Sequence, residues 1–538
     1  MKSVLYDIFL ICKRGFLREQ MDALCEAGGY FFMDQSGKGI YRRKARLRLV
    51  RYFLERKAIT LTHFIFPNSS LQSTFVYRIF ANFALSYKTI MKQSSNIRHG
   101  HYTALLNLGV PIIIGQIGTI VLNFADTLMI GHHSTVELAA ASFINTLLVL
   151  VIIFALGFSY GLTPVVGNLV GRGETGKIGG VMRTAMAANT MLAALMLAVV
   201  AALYVCLDRL GQPEELIPLM RPYLLVNIIS LPFVCWQNTF KQFYDAIGDT
   251  TTPMYVLIGG NVLNISGNYM LIYGALGFPE MGLLGAGIST MASRIIMCAV
   301  FAVLFFRARR YRIYGDGFRR SGFDGAVFRR LNALGWPIAL QMGMETAAFS
   351  LTAIFVGWMG MVSLAAHQIM LTVSQLFFMV YYGLAAAVSV RVSYFHGQGD
   401  TPAIRATASA GFRMILLVAS VVAVPIFLLR GTVSLWFNDS AEVCLLVSHT
   451  IIPLILYQFG DGLQCTFANA LRGMSCVRPM MYAAFFSYFV VSLPLSWWLG
   501  IRMGYGLVGL WYAFPVCLTC AGVLYYLIYR REVRGIEG

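Results

Sequence analysis

Charge is scarce in this chain. Only 12% of its 538 residues are Asp, Glu, Lys or Arg, while 58% are hydrophobic and the mean hydropathy is +0.68. That balance excludes a water-soluble globular chain and places most of it in a bilayer. Short alternating apolar segments, the mark of a membrane β-barrel, are missing too, so the fold class is an all-α membrane protein. The ten cysteines scatter without a disulfide-like framework, and Cys517-x-x-Cys520 reads as a buried or lipid-facing pair. No Gly-rich phosphate loop, catalytic triad or metal-ligand spacing stands out, which argues against an enzyme. His132-His133 reads as a solvated turn. No apolar core with a small-residue cleavage site follows Met1, so a secretory signal peptide is not expected.

What is abundant is apolar sequence of spanning length. Twelve stretches of about 20 mostly apolar residues begin near Tyr102, Leu138, Gly180, Leu216, Pro253 and Gly282, then near Leu331, Ser363, Arg405, Val443, Pro479 and Gly506. The net charge of +18 is unevenly spread and is not read as a nucleic-acid signal: residues 1–100 carry 17 Lys and Arg against 6 Asp and Glu. With the segment before the first span inside, the inner connections and C-terminus hold 19 basic residues. The outer connections hold four: Arg209, Arg221, Arg430 and Arg502. Both termini are therefore expected to be cytoplasmic. Arg294 and Arg391 fall within spans. The expected organisation is a basic cytoplasmic extension over 1–100, a six-helix lobe over 101–306, an Arg-rich cytoplasmic linker over 307–330 with eight arginines, and a second six-helix lobe over 331–538. Met91-Lys-Gln-Ser-Ser-Asn-Ile-Arg98 also reads as an ordinary short basic N-terminus, which would make residue 91 the true start.

The chain repeats itself. Leu108-Gly-Val-Pro111 recurs as Leu334-Gly-Trp-Pro337, Leu138-Ala-Ala140 as Leu364-Ala-Ala366, and Gly171-Arg-Gly-Glu174 as Gly397-Gln-Gly-Asp400, all at an offset of 226 residues. Six spans per copy carry both copies into the membrane in the same sense, so a pseudo-twofold axis along the membrane normal should relate the lobes. Transporters of this kind bind substrate between two lobes that rock against each other.

Three carboxylates stand alone in apolar stretches: Asp126, Glu345 and Asp461. A carboxylate near the bilayer midplane costs roughly 2.5–3.5 kcal/mol, so each reads as a cation or proton site. They break the repeat, aligning with Thr352, Thr119 and Cys235. Asn264 and Asn268 are spaced i, i+4 and share one helix face. With Asp126 and Thr290 they offer the oxygen-rich set that a hard cation such as Na+ prefers. A polar interhelical network without an ion is the bland alternative. The 26 methionines, Met342, Met344, Met359 and Met361 among them, suit a pliable binding surface or ordinary packing. His367 is read as part of a helix-packing motif, and Arg391 and Arg472 as snorkelling or salt-bridged groups at span ends.

Asn123-Phe-Ala-Asp-Thr-Leu-Met-Ile-Gly131, Asn264-x-x-x-Asn268 leading into Tyr273-Gly274, Ala365-Ala-His-Gln368 and Ala470-Leu-Arg-Gly473 occur in order within the repeat. With these motifs the chain resembles the multidrug and toxic compound extrusion (MATE) family, in its NorM-like bacterial branch, over roughly residues 101–530. The resemblance implies twelve helices in two V-shaped lobes and export of small cationic amphipathic compounds in exchange for Na+ or H+. It needs no further cofactor, and a monomer is expected. Asp126, with Asn264, Asn268 and Thr290, matches the first-lobe cation site; Glu345 and Asp461 match the second-lobe acids tied to cation coupling and substrate binding. Archaeal-type members carry an aspartate where this chain has Asn268. The rival readings are a lipid-linked oligosaccharide flippase, expected to line its cavity with Arg and Lys, and an intramembrane enzyme.

Overall fold

A bilayer offers no partner to an open backbone, so each apolar stretch closes its hydrogen bonds within itself as a helix. The computed structural model describes residues 97–432, 434–436 and 440–537. The basic extension expected over 1–100 lies outside them except for its last four residues. The first half runs through Ile97–His133 (α1), Thr135–Ser159 (α2) with its continuation Leu162–Gly171 (α3), Ile178–Val205 (α4), Ile217–Ala246 (α5), Thr251–Ile272 (α6) and Gly282–Arg307 (α7). The Arg-rich linker folds into a short helix of its own, Arg312–Arg320 (α8). The second half holds Gly325–Trp358 (α9), Met361–Gln398 (α10), Thr401–Leu428 (α11), Ala441–Gly473 (α12), Val477–Phe485 (α13), Leu493–Trp497 (α14) and Gly506–Glu537 (α15). Phe486–Ser492 and Trp498–Arg502 wind as π-helix on either side of α14, so the eleventh span runs continuously over Val477–Arg502.

Among the described residues, eleven helical stretches are long and apolar enough to cross a membrane. The remaining expected span, α6, has 22 residues and no charged side chain, but it carries Asn261, Asn264 and Asn268. It packs between α1 and α7, where Asn264 and Asn268 are 1% and 0% exposed. The polar atoms that lower its hydropathy are thus kept from lipid. Side chains also cap the helices that begin outside the apolar layer. Ser134 accepts from the Glu137 amide at 3.4 Å, Asp324 from the amides of Ala326 and Val327 at 2.8 and 3.2 Å, and Asp400 from that of Ala403 at 2.9 Å. Pro111 and Pro337 lie inside α1 and α9 at corresponding points of the repeat.

The halves meet through α1, α2 and α3 on one side and α9, α10 and α11 on the other. Their close approaches all lie toward the end of the bundle where α1 begins and α3 ends. A Cβ placed on Gly157 would stand 2.6 Å from Ala339 Cα, one on Gly161 2.9 Å from Gly335 N, and one on Gly171 2.1 Å from Tyr394 O. His101 meets Thr407 at 3.2 Å, and His396 meets Asn168 at 3.0 Å, across the same seam. At the opposite end, Val136 (45%), Ile354 (51%) and Met361 (87%) are exposed. The close contacts between the halves are thus concentrated at one end.

Candidate functional site

In the first half, α6 carries the polar face predicted from the i, i+4 spacing. Asn268 Nδ2 donates to Asp126 Oδ1 at 2.6 Å, which ties α6 to α1. The Asn264 amide satisfies its neighbours with its oxygen toward the Thr290 hydroxyl of α7 and its nitrogen toward Asp126 Oδ1, both at 3.0 Å. The Ser289 hydroxyl donates to the Asn264 carbonyl at 2.8 Å. All four residues picked from sequence thus meet in one cluster. Asn268 Oδ1 is buried and finds no protein donor. A buried carbonyl oxygen without a donor, beside a carboxylate, is the kind of ligand a hard cation accepts.

Sequence reasoning missed Arg294 as a member of this cluster. It lies one helical turn beyond Thr290 on α7 and donates to Ser230 Oγ at 2.6 Å and to Asn227 Oδ1 at 3.5 Å, both on α5. Its guanidinium and the Asp126 carboxylate act on each other electrostatically. A lone arginine inside an apolar span was the available signal, because such a charge persists only where it has partners.

In the second half, Glu345 on α9 and Asp461 on α12 lie near enough that the Asp461 carboxylate feels the charge of Glu345. Their surroundings differ. Glu345 Oε2 accepts from Gln341 Nε2 at 3.0 Å and from Gln464 Nε2 at 3.5 Å, and Gln464 also donates to Tyr488 Oη at 3.0 Å. Tyr488 lies in the π-helical stretch after α13, a local winding often found at functional positions. Asp461 is 1% exposed, and its Oδ2 finds no protein donor. Gln458, one turn away, has both amide ends unpartnered, and the Tyr381 hydroxyl, which feels the Asp461 charge, is unpartnered too.

The structure corrects two readings. Arg472 is not a snorkelling group at a span end. It is buried, donates to Gln341 Oε1 at 2.6 Å, and stacks its guanidinium 5.7 Å over the Tyr160 ring of the other half. It reaches Glu345 through one glutamine and ties the second-half site to the seam. His133 does not sit in a merely solvated turn, because its two ring nitrogens face Glu137 and Glu280 at 2.8 and 3.0 Å. Arg391 stacks 5.0 Å over Phe395. His367 accepts from Trp511 Nε1 at 3.1 Å through Nδ1, a packing contact between α10 and α15. Among the described residues no three His, Cys, Asp or Glu side chains are grouped to hold a metal ion.

The arrangement has the chemistry of a carrier: buried acids, amide oxygens and two internal arginines, held by two similar helical halves. The MatE family model matches residues 111–270 and again 337–498, so it falls once on each copy of the repeat. The chain is 29% identical to a probable multidrug resistance protein NorM of Photorhabdus laumondii over 80% of its length and 96% of that protein. It is 31% identical to a probable multidrug resistance protein NorM of Xanthomonas axonopodis over 79% of its length and 93% of that protein. In fold it resembles a MOP superfamily transporter from Pyrococcus furiosus, with a TM-score of 0.75 at 18% identity, over 81% of this chain and 97% of that one. It also resembles the eukaryotic MATE transporter AtDTX14, with a TM-score of 0.73 at 16% identity, over 82% of this chain and 98% of that one. The chain belongs to the MatE family and is a multi-pass membrane transporter, not an enzyme.

Proposed function

We propose that this transporter exports small cationic compounds across a bacterial inner membrane in exchange for Na+ or H+, with Asp461 as the group whose neutralisation is coupled to release. The observation that carries the reading is the contrast between the two second-half acids. Glu345 has amide donors, and Arg472 stands behind one of them. Asp461 is buried without a donor on Oδ2. A bare buried carboxylate is costly as an anion, so a proton, a Na+ ion or a cationic substrate each gains by neutralising it. Two of these cannot do so at once, and that competition is the coupling. Exchange also requires that ion and substrate favour different access states, because equal affinity for both would shift nothing.

The seam supplies the two states. With both termini cytoplasmic, the end at which the halves touch would face inward, which supports reading the described conformation as outward-facing. An ion arriving from outside would neutralise Asp461 and release substrate outward. Asp126, Asn264, Asn268 and Thr290 would form a second cation site in the first half, with Arg294 as its fixed counter-charge.

The test is transport of a cationic dye in proteoliposomes. An inward Na+ gradient at matched pH, or a pH gradient alone, should drive dye movement in the opposite sense, and Asp461→Asn should abolish both. Dye movement that needs neither gradient would refute antiport.

A further inference from the structure

Where α7 ends at Arg307, the chain turns through Arg309–Tyr311 into α8, which lies across the start of α4. The docking is close. A Cβ on Gly179 would fall 2.4 Å from both Phe318 N and Tyr314 O, so only glycine lets these backbones touch. Phe318 packs edge-on against Phe305 and Phe306, with ring centres 5.9 and 5.3 Å apart. Arg183, in the second turn of α4, donates through one terminal nitrogen to Ser321 O at 2.7 Å and Phe318 O at 3.4 Å. Arg319 lies with its guanidinium 5.4 Å over the Phe306 ring. Together Arg183, Phe306, Phe318 and Arg319 line an open pocket with two guanidinium groups and two phenyl rings.

Neither arginine has an acidic partner among the described residues. The ion pairs of the linker are made elsewhere, by Arg310 with Asp249 at 3.2 Å and by Arg312 with Asp316 at 3.6 Å. The pocket's residues come from the last turn of one apolar helix, the second turn of another and the linker helix. On the same linker Ile313 and Phe323 are 53% and 58% exposed, apolar side chains that a helix resting on a membrane surface would bury in lipid.

We propose that this pocket binds the headgroup of an anionic phospholipid. The phosphate would lie between Arg183 and Arg319, and the start of the acyl chains against Phe306 and Phe318. Guanidinium forks match phosphate oxygens in pairs, and basic groups just beyond a membrane helix draw anionic lipid. The chain's own N-terminal segment does not fit, because residues 1–100 carry 17 basic against 6 acidic groups. Bound lipid would pin the linker, the one covalent connection between the halves, to the membrane surface while the halves move. This proposal does not depend on which ion or substrate is exchanged.

The test is native mass spectrometry of the full chain titrated with dioleoylphosphatidylglycerol, with dioleoylphosphatidylcholine as the neutral comparison. Wild type should retain one anionic lipid in preference to the neutral one. Arg319→Gln should weaken that preference roughly 5-fold and Arg183→Gln/Arg319→Gln about 25-fold, while Arg209→Gln on the opposite face leaves it unchanged. Arg319 makes no hydrogen bond among the described residues, so its single variant reads the site even if the double variant misfolds. Equal retention of the two lipids by wild type, or unchanged preference in Arg319→Gln, would overturn the proposal. Complete displacement by millimolar inorganic phosphate would make the pocket a free-phosphate site and would likewise overturn the lipid assignment.

Discussion

Gly157→Ala perturbs the seam between the halves at one of its close backbone contacts. The added methyl would meet Ala339 Cα at 2.6 Å and Ala339 N at 3.0 Å. Ordinary contact begins near 3.4 Å. The helices must therefore separate by roughly 1 Å there, and a backbone atom cannot swing aside as a side chain does. Overpacking of this kind costs about 1–3 kcal/mol. If, as proposed, this end of the bundle opens during transport, the cost falls on one access state alone. That shifts the balance between states roughly 5- to 150-fold toward the one in which the seam opens. Spin labels on Val136→Cys and Met361→Cys, exposed at the first turns of α2 and α10, would report it in a cysteine-free background. Electron–electron resonance should show the long distance of wild type lose weight to a shorter one in Gly157→Ala. Gly259→Ala is the control, since nothing lies within 4 Å of its would-be Cβ. A Gly157→Ala protein that inserts normally and keeps the wild-type distance distribution would refute the idea that the seam is released during transport.

Four further expectations can be checked in the same preparation. Glu345→Gln and Asp461→Asn should each abolish efflux of a cationic dye at unchanged expression, and full resistance in cells carrying either variant would count against the acidic site. Arg472→Met leaves Gln341 Oε1 without its donor in a buried place, a loss of about 1–3 kcal/mol that thermal unfolding in detergent would register. Asp126→Asn should weaken binding of radioactive Na+ if the first-half cluster holds that ion; unchanged binding would place it in the second half. Truncation to begin at Met91 should leave dye efflux near the full-length level, and an inserted but inactive truncated protein would show that the preceding segment takes part.

The sequence alone determined the helices, because the constraint behind them is local. A stretch of about 20 apolar residues in lipid has no other way to satisfy its backbone. The expected starts at Gly282 and Gly506 coincide with those of α7 and α15, and the others lie within a few residues. Grouping of Asp126 with Asn264, Asn268 and Thr290 was legible for a similar reason: buried polar atoms in a membrane must find one another, and the i, i+4 asparagines gave the face. The linker helix was not legible, since its nine residues include four charged groups and two glycines, and it is held by packing on α4. Nor could sequence assign Arg472 or tell Glu345 from Asp461. Arg472 stands one residue from the end of a helix, where a guanidinium usually reaches outward, and only the fold brings Gln341 and Tyr160 over it. Both acids look alike in one dimension. Which of them has hydrogen-bond donors is decided by what α9, α12 and the π-helical stretch place around each, because the energy of a buried charge depends on neighbours far away in sequence.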